Sequence, residues 1–277
     1  MDAHSQDKIR LPAVSGTFYP RGASTLRGTV RDMLEQVPRQ LQGEVLALVV
    51  PHAGYQYSGP VAAHAYRLLE GRQFDRVILI GTSHRHGFET ASVYPGGTFE
   101  VPTGKFPVDE EFVAKLAARR GLSFGSEQAH ISEHCLEVQL PFLKEVLGEV
   151  KIVPILMGMT QLDYCELLGS ALADAIREDG GLILASTDLS HYHDQKTAKA
   201  LDEIAIGGML SMSWRDLARA IEEGSCELCG SSAVIATMIA VERLGGKRGE
   251  LLKYATSGDV TGDMLEVVGY AAIAFLR

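Results

Sequence analysis

The chain has 277 residues, 46% of them hydrophobic, and carries 26 Lys plus Arg against 35 Asp plus Glu for a net charge of −9. That apolar content supports a sizeable core and excludes wholesale disorder, and the length suits one large α/β domain, here taken as residues 1–277. The acidic balance argues against non-specific nucleic-acid binding and against an anionic membrane surface. The opening "MDAHSQDKIRLPAVSG" has no apolar h-region and does not read as a signal peptide. No run approaches the ~18 apolar residues of a membrane span. Four cysteines do not make a disulfide framework, so a reducing, cytoplasmic compartment is expected.

Residues 1–9 are expected to be a loosely ordered N-terminus. "EVLALVV" (44–50) is a strand candidate, followed by a helical pattern over 58–71 with Pro60 near its first turn. "RVILIG" (76–81) is a second buried strand. Residues 90–102 read as two extended segments around the turn "PGG", and 94–109 as a hairpin-like wall beside a pocket. A helix is expected at 109–119, and another over 134–148 that Pro141 should kink or restart. Strands at 150–158 and 181–187 alternate with helices at 161–178, 195–210, 213–222 and 230–244. "LLKYATSG" and "LEVVGYAAIAFL" close the chain as strands. This alternation predicts a layered α/β domain, a mixed or largely parallel sheet with helices on both faces.

Polar residues gather at the ends of the predicted strands, where ligands of open α/β sheets sit. Strand 44–50 runs into "PHAGY" and places His52; strand 76–81 runs into "GTSHRH" and places His84 and His86. Strand 181–187 runs into "DLSHYH" and places Asp188, His191 and His193. Neutral imidazole is the commonest protein ligand of transition metals, so three histidine-bearing strand ends point to a metal pocket. "SEHCLEVQLP" offers Glu133, His134 and Glu137, whose plain reading is helix capping and charge. "SCELCGSS" offers Cys226 and Cys229 before a helix, where a thiolate is favoured. No GxGxxG follows a strand and no GxxxxGK[ST] is present, so no nucleotide cofactor is expected.

Six segments in order, "RLPAVSGTFYP", "PHAGYQYSG", "GTSH", "EHCLEVQLPFL", "STDLSHY" and "CG" (229–230), resemble the Memo family. These proteins are also labelled AmmeMemoRadiSam system protein B, and the family resembles class III extradiol (LigB-type) dioxygenases in fold. The resemblance implies a non-haem metal pocket with His52, His84 and Cys229 as ligands. It implies His191 as acid/base with Asp188 beside the pocket, and His134, Tyr55 and Glu227 as further pocket residues. Asp188, three residues before His191, is expected to accept a hydrogen bond from the His191 ring. The implied cofactor is one divalent transition metal: iron by kinship with the dioxygenases, copper or zinc by the softness of a thiolate ligand. A Cys in place of the usual carboxylate separates this set from ring-cleaving iron sites. The implied activity is a metal-dependent redox reaction on a small substrate. Alternatives are metal or redox handling without turnover, peptide recognition, and zinc-type hydrolysis. The family label also implies radical-SAM and AMMECR-type partner proteins.

Overall fold

The computed structural model describes residues 8–38, 43–122, 124–158 and 160–277. Wholly apolar runs form its central strands: β2 (Val45–Val50) and β8 (Leu182–Ser186) are buried along their whole length, and β3 (Arg76–Thr82) and β7 (Lys151–Met157) nearly so. Such runs suit parallel strands covered on both faces. These four lie side by side and parallel in the order β2-β8-β3-β7. Antiparallel strands flank them: β4 (Ala91–Val93) beside β7, and β11 (Val267–Leu276) beside β2 with β10 (Arg248–Thr256) outermost. The short β9 (His191–His193) pairs with the start of β11. The sheet is therefore mixed, with a parallel centre.

Helices cover both faces for a topological reason. The connection from β2 to β3 passes through α2 (Tyr55–Arg67), and that from β7 to β8 through α5 (Leu162–Asp179). The two connections run in opposite directions across the strand order, and right-handed crossovers then place their helices on opposite faces. With α2 pack α1 (Ala23–Glu35) and α4 (Leu140–Leu147). With α5 packs α8 (Ser231–Arg243), nine of whose thirteen residues are buried. The remaining helices are α3 (Glu110–Ala117), α6 (Gln195–Leu210), α7 (Trp214–Glu222) and the one-turn α9 (Gly258–Thr261). A second, three-stranded sheet joins β1 (Ile9–Arg10) to the hairpin of β5 (Thr98–Val101) and β6 (Gly104–Pro107). No helix of the described residues is long and apolar enough to cross a membrane.

Several local expectations are corrected. The helix expected at 58–71 begins one turn earlier, at Tyr55, so Pro60 falls inside it. The extended segments around "PGG" do not pair with each other. β4 joins the large sheet and β5 the small one, and the hairpin turn lies at Pro102 and Thr103. Gly97 (φ 92) is needed at this junction, since a Cβ there would run into the Lys8 carbonyl. The helix expected over 134–148 is a 3-10 turn at Glu137–Gln139 followed by α4, with Pro141 in the first turn of α4, where its missing N–H costs nothing. Of the N-terminal segment expected to be loose, residues 1–7 lie outside the described residues, while Ile9 pairs with Thr98.

Candidate metal centre

The adjacent strands β2, β8 and β3 all end on one edge, and that edge assembles the site. His52 follows β2 and is buried; its N–H donates to Asp188 Oδ1 at 2.8 Å. Its ring Nδ1 lies 2.9 Å from Ser186 Oγ at the end of β8. That hydroxyl donates to the Cys135 carbonyl (2.7 Å) and accepts from Gln139 Nε2 (2.9 Å). With its proton already spent, Ser186 can only accept from His52, so Nδ1 carries the hydrogen and Nε2 keeps a bare lone pair. Burial lowers the His52 pKa to about 4 against the opposing pull of Asp188, so the ring is neutral at neutral pH.

His84 follows β3. Its Nδ1 lies 2.9 Å from Glu133 Oε1, and its N–H donates to Glu133 Oε2 at 2.8 Å. Burial alone would raise the Glu133 pKa, but hydrogen bonds from His134 and His84 hold it well below the usual carboxylate range. The ionised carboxylate is acceptor only, so His84 also holds its hydrogen on Nδ1 and frees Nε2. His134 stands beside it, its Nδ1 3.0 Å from the same Oε1. The three imidazoles cluster, with ring centroids 5.1 Å (His52–His84), 5.3 Å (His52–His134) and 4.5 Å (His84–His134) apart.

Cys229 comes from the other side of the chain, just before α8. Its N–H donates to the Asp188 carbonyl (3.3 Å), and its Sγ accepts from the Asp188 N–H (3.2 Å) and lies 3.3 Å from His52 Nε2. Burial, with Asp188 adding to it, pushes the thiol pKa up to about 12. The following residue permits this approach: a Cβ on Gly230 would stand 2.6 Å from the Ser186 carbonyl. Donor atoms of His52, His84 and Cys229 thus lie within 4.8 Å of one another.

Comparison with known proteins places the chain. The profile of the Memo-like protein family matches residues 10–274. The chain belongs to the Memo family. It is 37% identical over 280 residues to a MEMO1 family protein of Methanopyrus kandleri, covering 97% of this chain and 99% of that one. It is also 37% identical over 276 residues to a MEMO1 family protein of Methanothermobacter thermautotrophicus, covering 96% and 100%. Among solved structures it resembles an uncharacterized protein from Escherichia coli K12 (TM-score 0.51, 12% identity, 82% of this chain and 99% of that one), a likeness of fold alone.

This Memo-family chain has a second group of metal-capable side chains, His84, Glu133 and His134. It is a poorer candidate. Glu133 Oε1 already accepts from the His84 ring and from the His134 and Cys135 N–H groups, and an Nδ1 2.9 Å from it leaves no room for an ion between. In the first group every anchored ring nitrogen is Nδ1 and every free donor faces the others. Two ligands on one ion stand at most roughly 4–4.5 Å apart, so the residues fit a soft divalent metal with only a slight contraction.

Other expected residues are placed differently. Asp188 adjoins the site, but its carboxylate binds the His52 N–H instead of the His191 ring. His191 lies in β9, its N–H 3.4 Å from Glu227 Oε2, and Glu227 binds His193 Nε2 at 2.9 Å, so Glu227 serves β9 and not the donor group. Tyr55 is buried, with its hydroxyl on the Val138 carbonyl and its ring against Tyr19 and Phe142. A cavity of about 570 Å³ opens beside His84 and Cys229, with His86 on its wall. No residue of the β5–β6 hairpin is among its described lining, so the wall expected over 94–109 is not there. Sequence reasoning passed over Glu133 as an orienting carboxylate, and Ser186 and Gln139 altogether. The available signals were a carboxylate directly before His134 and a lone hydroxyl ending the apolar "LILAS".

Proposed function

We propose that this chain binds one divalent transition metal through His52 Nε2, His84 Nε2 and Cys229 Sγ, and uses it in a redox reaction on a small substrate. The observation that carries the reading is the convergence of three donors whose imidazoles are both anchored through Nδ1. When bound, iron or copper in such a set supplies a Lewis acid and a one-electron couple. The chain's own residues do the rest. Ser186 and Glu133 fix the two tautomers, so no proton has to leave the histidines on binding. The Asp188 N–H donates to Cys229 Sγ, which favours the thiolate that a metal requires. His134 and His191 are the imidazoles available to move a proton, and His134 is the one packed against the donor rings. The cavity beside His84 and Cys229 gives substrate its access. Cys229 in place of a carboxylate argues against ring cleavage of the extradiol kind.

Elemental analysis of protein purified without added metal tests the reading. Wild type should carry about one iron or copper per chain, and His52→Ala, His84→Ala and Cys229→Ser close to none, while zinc alone in wild type would keep the ligand set and remove the redox role. His134→Ala and His191→Ala should retain it. Equal metal in wild type and His52→Ala would sink the assignment.

A further inference from the structure

The cavity beside the donor triad has a charge character that metal ligation does not require. Arg85 and His86 stand on its rim, on a turn closed by Ser83, whose Oγ donates to the His86 carbonyl (2.8 Å) and accepts from the His86 N–H (3.3 Å). Arg85 is exposed and makes no hydrogen bond or ion pair among the described residues. On a chain with 35 acidic residues, no Asp or Glu is among the described residues lining the cavity. The facing wall is built from Thr160 and Gln161 before α5 and from the start of the thirteen-residue α8; neither helix has a side-chain cap, and since α5 carries Asp163 in its first turn, α8 is the end open to an anion. Gly230 N–H is taken by Thr187 Oγ1, but the N–H groups of Ser231, Ser232 and Ala233 have no partner among the described residues. Unsatisfied first-turn N–H groups and the helix dipole both favour an anion, and an unpaired guanidinium does so more strongly.

We propose that this cavity is an oxyanion subsite, holding the carboxylate or phosphate group of a small organic anion whose other end reaches the triad. The inference names the substrate class of the site proposed above and so rests on that reading, but the subsite's own binding does not need the metal. Arg85 supplies a two-pronged charge-assisted contact, and the α8 N–H groups with the Ser231 hydroxyl take the remaining oxygens. About 570 Å³ is room for a metabolite-sized ligand. The lining, with Ser83, His84, Arg85, Gln161 and Ser231 among its members, offers polar partners that a purely apolar ligand would leave unsatisfied. The net charge of −9 elsewhere disfavours large polyanions, which would have to approach an acidic surface.

The test is calorimetric titration of inorganic phosphate, malonate and neutral malonamide into wild type, Arg85→Gln and Arg85→Glu, each metal-free and metal-loaded, with metal content measured in parallel. Metal-free wild type should bind phosphate or malonate and not malonamide, and the tighter of the two anions identifies the group. Arg85→Gln should weaken that binding by about tenfold or more, and Arg85→Glu should abolish it, with metal content unchanged in both. Failure of wild type to bind either anion, or anion binding unaffected by Arg85→Gln, would overturn the subsite. Anion binding that follows Arg85 in a protein unable to retain metal would leave the subsite standing and remove the proposed metal function instead.

Discussion

Glu133 shows how much of this site depends on residues that would not touch a metal. One buried carboxylate receives the His84 ring and backbone and the backbone N–H groups of His134 and Cys135. Its negative charge decides which nitrogen of His84 carries hydrogen, and its position aims the ring. Replacing an orienting partner of a metal-ligating histidine typically costs about 10- to 100-fold in metal affinity. Glu133→Gln keeps the shape but turns one acceptor oxygen into a donor facing N–H groups. Metal affinity, measured by competition with a chelator, should fall within that range while stoichiometry at saturating metal is preserved. Unchanged affinity would show that the carboxylate only closes the loop. Ser186 plays the same part for His52 more weakly, since its hydroxyl is neutral.

The 3-10 turn at Glu137–Gln139 is the clearest case at the scale of an element. Glu137 is fully buried and pairs with the equally buried Arg10, and its oxygens also accept from the N–H groups of Ala13 (2.6 Å) and Val14 (3.0 Å) and from the Tyr19 hydroxyl (2.5 Å). Arg10 in turn donates to the His130 and Glu133 carbonyls. One ion pair thus binds the N-terminal segment to the stretch that carries Glu133 and His134. Breaking a buried pair by removing one charge typically costs about 3–5 kcal/mol, because the partner is left uncompensated. Glu137→Gln should lower stability in urea unfolding by that order. It should also loosen the His134 loop more than the β-sheet, a difference that amide exchange can read. A stability change within ~0.5 kcal/mol of wild type would mean that the pair is replaceable by its neutral neighbours.

At the scale of the whole molecule, the donors come from residues 52, 84 and 229, so a bound ion ties the ends of β2 and β3 to the start of α8. A ligand that binds only the folded chain stabilises it by mass action, about 4 kcal/mol at a thousandfold excess over Kd. Metal-loaded protein should therefore unfold at a higher temperature than the same protein treated with a chelator, and readdition of metal should restore the difference. His52→Ala should show no such shift. A chelator-induced shift of equal size in wild type and His52→Ala would place the metal elsewhere.

The apolar strands and their polar ends were legible in the chain itself. "VLALVV", "RVILIGT" and "LILAS" read as buried strands, and the histidine two residues after each of the first two, like the aspartate two residues after the third, lies on the edge where that strand ends. Membership of the Memo family was legible too, because it is written in short segments such as "PHAGYQYSG", "GTSH" and "STDLSHY" that lie at the ends of those strands. What followed from tertiary structure is everything that depends on strand order and on contacts across more than a hundred residues. The turn "PGG" marks the passage from one sheet to another, and the hairpin at 98–107 turns at Pro102 and Thr103 in a second sheet, which periodicity cannot report. Asp188 was expected on His191 because the two are close in sequence, yet it bonds His52, 136 positions away, because β2 and β8 are neighbours. Local sequence dictates which side chains reach a strand's end, since each strand buries its own apolar run. Which ends meet, and which donors are thereby aimed at one another, is settled by how the strands are ordered in the sheet.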